Sequence, residues 1–207
     1  EQLSLLLTQL NYISDAFSAQ ALSEMKELTD SSQYVRLQLL EQIALLARQQ
    51  SQPLLAACAI GRMTELSLRY GRTPLTPFAF VSYAWVASWF CADFSLAQTF
   101  SAQGMQLANR YGGLIQENEN TDSATSAALL HCSQVQHWFS PLRSVQEQLQ
   151  QIDHLTGQHG QWLLQSESRL LLAQLNLFST SDLREQRQDL EQQHAQMLNQ
   201  HQAYSAA

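Results

Sequence analysis

Apolar positions along this 207-residue chain recur with the 3.6-residue period of a helix, and no strand-like alternation of any length interrupts them. The pattern predicts a first helix over 2–27, with a break near Ser14 and Asp15. A second runs over 33–48, with Leu39, Leu40, Ile43, Leu46 and Ala47 on one face. A third covers 52–70: Pro53 suits its first turn, where a missing N–H costs nothing, Ala56, Ile60, Met63 and Tyr70 form its stripe, and Gly71 stops it. The fourth, 77–91, is apolar all round, with Thr76 as N-cap and Pro77 as its first residue. Asp93 caps a fifth, 94–111, striped by Ala97, Phe100, Gly104, Leu107, Ala108 and Tyr111.

After a polar connection at 112–122, a sixth helix spans 122–138 with Ala128, Cys132, Val135 and Trp138 on one side. Ser140-Pro141 restarts the chain into 141–156, striped by Leu142, Val145, Leu149 and Ile152. Gly157 and Gly160 bracket a turn, and a Leu-rich eighth helix covers 161–178. The ninth, from Asp182 to about His201, carries a stripe of only Leu183, Leu190 and Met197 in a field of Gln, Glu, Arg and His.

The helix pairs 52–70 with 77–91, 94–111 with 122–138, and 141–156 with 161–178 recur at roughly 40 residues, the spacing of stacked helical repeats. The expected fold is all-α: a tetratricopeptide-like α-solenoid of antiparallel helix pairs, about eight or nine helices in all. Residues 1–180 form the repeat domain, and 181–207 a polar C-terminal helix acting as cap, linker or dimerisation element. Asp93-Phe94 with Ala97 is the usual opening of a tetratricopeptide second helix. Two positions depart from the repeat: Trp85 stands where a small residue belongs, and Gly104 where Ala does. A Trp there is expected to splay the pair.

Charge narrows the function. Charged residues make up 14% of the chain and the net charge is −7, with Lys26 the one lysine and ten arginines scattered. Nucleic-acid binding needs clustered cations to neutralise phosphate, so it is not expected. Glutamine, with 30 copies, carries the polar surface instead. Cys58, Cys91 and Cys132 are odd in number and lie in apolar stretches without a CxxC, which reads as buried reduced thiols in a cytoplasmic protein. Residues 73–92 are uncharged and long enough to span a bilayer. Pro74, Pro77, Thr73, Thr76, Ser82 and Ser88, and the lack of a flanking basic cluster, argue for a buried central helix instead, so no membrane is expected. No basic region opens the chain as in a signal peptide, and with no initiator Met it is expected to be part of a longer protein.

Several side chains are candidates for binding. Tyr83, Trp85, Trp89 and Phe90 fall within two turns and could line a groove for a peptide or small ligand, although helix packing accounts for them equally simply. Arg62 and Arg69 share a helix face and, with Arg72 nearby, could grip a carboxylate or phosphate. The plainer reading is solvated arginines, or arginines paired to Glu65 or Asp93. His131 and His137 are six apart, which sets their imidazoles far apart round a helix, so no metal is expected there even with Cys132 nearby. His194 and His201 share the face of Arg187, an exposed polar face that pH could tune. Leu183, Leu190 and Met197 could dock on the solenoid or pair with a second copy in a homodimer.

Three stretches carry a resemblance: Leu66-Ser67-Leu68-Arg69-Tyr70-Gly71; Pro77 through Tyr83, with Asp93-Phe94 and Ala97; and His137-Trp138 with Pro141-Leu142. Through them, residues 28–178 resemble the helical region that follows the predicted ATPase domain in bacterial multi-domain sensor kinases. These proteins join an AAA/STAND-type ATPase to GAF or PAS sensors and a histidine kinase or cyclase output. Where that family usually has Gly-Asp before an aromatic residue, this chain has Gly160-Gln161-Trp162, so the turn survives without its capping acid. The family's chemistry does not transfer: G-x-x-x-x-G-K-[ST] is absent, as is a recognisable histidine-kinase phosphoacceptor box.

The resemblance implies a non-enzymatic module that needs no cofactor. It would couple a nucleotide switch to an output through protein partners or neighbouring domains. The rival expectation is a ligand-sensing helical module like those of STAND-type transcription regulators, with a deep apolar pocket near Trp85, Arg62 and His137, the last beside Trp138. An unrecognised enzyme would instead show perturbed titratable groups in such a pocket.

Overall fold

The computed structural model describes residues 25–111 and 121–179, together with 187–188, 191–192 and 195. Seven helices lie among the described residues: α1 (Ser31–Gln49), α2 (Pro53–Tyr70), α3 (Thr76–Cys91), α4 (Phe94–Arg110), α5 (Thr121–Leu130), α6 (Leu142–Gln158) and α7 (Trp162–Ser179). The chain divides into two compact units, Glu1–Phe139 and Ser140–Ala207. That division falls well before the boundary expected at 180/181. The all-α class is as the sequence predicts; eight or nine helices were expected against the seven described.

In the first unit α3 is the centre. Every residue from Thr76 to Ser88 is buried, and the helix packs against α2, α4 and α5. Thr64 on α2 hydrogen-bonds the Ala79 carbonyl, and Ser67 meets Thr76, so α2 and α3 run antiparallel. On the opposite flank Phe100 of α4 packs edge-on to Phe80 and Tyr83, with ring centroids 5.5 and 4.5 Å away. Beside it, a Cβ on Gly104 would lie 2.7 Å from Val81 Cγ2 and 3.0 Å from the Pro77 carbonyl. The glycine therefore allows the two helices to approach closely. Trp85 does not splay this pair: its ring lies against Phe90 and under the Arg48 guanidinium, away from the Gly104 crossing.

Local signals set several ends. Asp30 caps α1 by accepting the Ser32 N–H at 2.8 Å, and Asp93 caps α4 by accepting the Leu96 N–H at 2.9 Å. Pro53 opens α2, as expected. Thr76 sits just inside α3, where its Oγ1 accepts the Thr73 N–H at 2.8 Å. Gly71 ends α2 at φ 121°, and a Cβ there would lie 2.5 Å from the Lys26 carbonyl. That carbonyl accepts the Arg72 N–H, and Leu28 N–H returns a bond to the Arg72 carbonyl. Residues 25–28 are therefore non-helical, with a single bridge between Glu27 and Arg72, which corrects the end of the predicted first helix. The rest of that helix lies outside the described residues.

Further expectations are corrected. On α1 the buried face is Gln33, Leu37, Ala44 and Ala47, whereas Leu39, Ile43 and Leu46 are exposed. Two apolar stripes compete on this helix, and the one carrying alanines faces the alanine-rich α2. Tyr70, placed on the inner stripe of α2, is exposed instead, with Arg69 over its ring. The helix predicted over 122–138 is α-helical only to Leu130; it widens into a π turn over His131–Val135 and tightens into a 3₁₀ turn over Gln136–Trp138.

The second unit is a hairpin of α6 and α7. Gln146 bonds Asn176, Asp153 bonds Arg169 at 2.8 Å, and Gly157 sits against Gln165, three rungs of one antiparallel register. Gly157 thus belongs inside α6; Gly160, at φ 68°, makes the turn alone. Its core is Val145, Leu149 and Ile152 from α6 with Ala173 from α7. The leucines Leu163, Leu170 and Leu177, spaced by seven, remain exposed.

Candidate functional site

Four segments of the first unit converge on an open cleft of about 260 Å³, lined by Arg48, Ser51, Pro53, Trp85, Trp89 and Gln134. Arg48 comes from the last turn of α1 and Pro53 from the first turn of α2. Between them Ser51 holds φ 54°, a left-handed conformation that few non-glycine residues adopt. It is locked by bonds on either side, Ser51 N–H to the Arg48 carbonyl and Gln52 N–H to the Ala47 carbonyl. Trp85 and Trp89 are successive turns of α3, the first 8% exposed and the second 66% exposed. The Arg48 guanidinium lies 5.9 Å from the Trp85 ring centroid, a cation–π contact. Gln134 belongs to the π turn, a distortion that recurs at functional sites.

Nearby, an aromatic surface joins the start of α4 to the end of α5. Phe94 and Trp138 meet with centroids 5.1 Å apart, and the His137 ring lies 4.7 Å from that of Trp138. Trp138 is 54% exposed, and Phe94 and Phe139 are also exposed. Burial holds the His137 pKa below its ordinary value.

The sequence candidates separate into groups. Trp85 and Trp89 line the cleft, and His137 and Trp138 belong to the aromatic surface. Tyr83 lies in the core against Phe100, and burial raises its pKa, with Cys91 and Asp93 adding to the shift. Arg62 pairs with Glu65 at 2.6 Å and Arg69 covers Tyr70, so neither lines the cleft. Leu183, Leu190 and Met197 lie outside the described residues, as do His194 and His201. His131 meets Ser101 Oγ through Nδ1 at 2.6 Å, and burial lowers its pKa to about 4. Burial pushes the Cys132 thiol up to about 12 and also raises Cys58 and Cys91, the last with help from Asp93. Among the described residues no group of three or more His, Cys, Asp or Glu side chains is arranged to hold a metal ion, and no helix is long and apolar enough to cross a membrane.

Arg48, Ser51, Pro53 and Gln134 escaped the sequence reading as site residues. Pro53 carried a signal only for a helix start, and Arg48 only for a basic last turn. Gln134 was indistinguishable from the other glutamines. No protein-family model, curated protein or solved structure matches the chain.

Proposed function

We propose that this chain is a non-catalytic interaction module, a tetratricopeptide-like solenoid that couples neighbouring domains or protein partners within a larger bacterial signalling protein of the cytoplasm. The observation carrying this reading is the exposed aromatic surface of Phe94, Trp138 and Phe139, with Trp89 just before the α3–α4 turn. Exposed tryptophans of this kind are the residues that dominate protein interfaces when a partner covers them. Arg48 is the one charged residue lining the cleft, which supplies no acid–base pair for catalysis.

Photo-crosslinking with an activatable residue at 138, and at 62 as a control, tests the reading in cells making the full-length protein. A discrete adduct of fixed mass from position 138 and none from 62 is expected, and Phe94→Ala should weaken it. Equal, diffuse labelling from both positions would remove the interaction surface. A second reading, a ligand-sensing helical module, is favoured by one observation: the cleft at Arg48 and Trp85 has a defined lining of mixed chemistry.

A further inference from the structure

We propose that the cleft between α1, α2, α3 and the π turn binds a small planar carboxylate, one aromatic ring bearing an acid group. This goes beyond the aromatic contact surface and does not depend on it.

Size limits the ligand. The cleft holds about 260 Å³. A cavity of roughly 150 Å³ accommodates benzene, and drug-sized ligands occupy roughly 300–1,000 Å³, so one ring with a short acid arm fits. The walls define its shape. Trp89 offers an exposed indole, Trp85 a second one beneath Arg48, and Pro53 adds apolar surface. Flat walls favour a flat ligand through stacking.

Charge defines the polar end. Arg48 is the one charged residue in the lining, in a chain whose net charge is −7. A guanidinium near an indole keeps donors in its own plane, and its five N–H groups can serve a carboxylate alongside another acceptor. Ser51 and Gln134 provide a hydroxyl and an amide for the remaining lone pairs. The lining contains no acidic side chain that would repel the anion. Ser51 and Gln134 are each held by unusual backbone, a left-handed residue and a π turn, so the polar groups sit on constrained supports.

The test is titration of the full chain with phenylacetate, following the indole N–H signals of its four tryptophans by NMR. Trp85 and Trp89 should shift saturably with roughly millimolar affinity, while Trp162 stays still. Phenylacetamide, which lacks the charge, and cyclohexylacetate, which lacks the flat ring, should each bind at least roughly fivefold more weakly. Arg48→Gln should cost roughly tenfold or more. Trp89→Ala removes an exposed side chain, so it should fold normally and still lose binding. A peptide ending in Phe distinguishes the source: weaker binding than phenylacetate supports a free acid, and tighter binding overturns it in favour of a protein C-terminus. The proposal also fails if Trp85 and Trp89 do not move, or if the amide or Arg48→Gln binds as well as the original pair. Arg48→Gln leaves Phe94 and Trp138 in place, so either conclusion can fail alone.

Discussion

Helices α3 and α7 are both rich in apolar residues, yet one is buried on every side and the other leaves leucines in water. α3 has α2, α4 and α5 packed around it, so Phe78, Phe80, Val81, Tyr83 and Val86 are all inside, whichever way they point. α7 packs on α6, which covers Ala173, Gln165 and Ser168 and leaves Leu163, Leu170 and Leu177 out. Apolar content says that a helix needs neighbours; the number of neighbours decides which of its residues become core.

Mutations sharpen that contrast, beginning with the largest effect. Phe100→Ala removes the ring that holds Phe80 and Tyr83, and should cost about 3–5 kcal/mol, read as a lower midpoint in urea. If Phe100→Ala costs no more than Leu170→Ala, the distinction between the two helices collapses.

The next effect depends on pH. Above about 6.5 His131 is neutral whether folded or not. As pH falls the unfolded chain takes up a proton that the buried ring, with its pKa near 4, refuses. Stability should therefore fall between pH 6.5 and 4 and level off below, with a loss of up to about 3 kcal/mol. Urea midpoints across this range should show that slope, and His131→Gln should flatten it.

The same substitution should act oppositely in the two units. At Gly104 a new Cβ meets Val81 and the backbone of Pro77, and Gly104→Ala should destabilise by about 1–3 kcal/mol. At Gly157 the obstacle is the flexible Gln165 amide, and Gly157→Ala should be neutral or stabilising by up to ~1 kcal/mol, because alanine favours helix. Thermal melts of the two variants compare them directly. The smallest effect belongs to the exposed stripe: Leu163→Gln, Leu170→Gln and Leu177→Gln should each shift stability by no more than ~0.5 kcal/mol. A larger loss would mean that the stripe is covered in solution.

The sequence made some of this legible. Pro53, Asp93 and the uncharged run of α3 act locally, and their roles survive in the structure. The inner face of α1 was not legible, because Leu39, Ile43 and Leu46 are as apolar as Leu37, Ala44 and Ala47, and α2 makes the choice. The π turn was not legible either, since His131-Cys132-Ser133-Gln134-Val135 fits an ordinary helix. At the cleft, Trp85 and Trp89 were visible because one helix presents both. Arg48, Ser51 and Gln134 join them only through tertiary packing.

That π turn also has a bearing on chain length. A π turn accommodates an extra residue within a helix, and one residue corresponds to roughly 100° of rotation. Deleting Ser133 would let the segment close as regular α-helix, while everything after it swings round the axis by about that angle. Trp138 would leave Phe94, and Gln134 would leave the cleft. One codon in this segment thus governs both the aromatic surface and the cleft, so the spacing from Leu130 to Trp138 matters as much as the residues that fill it.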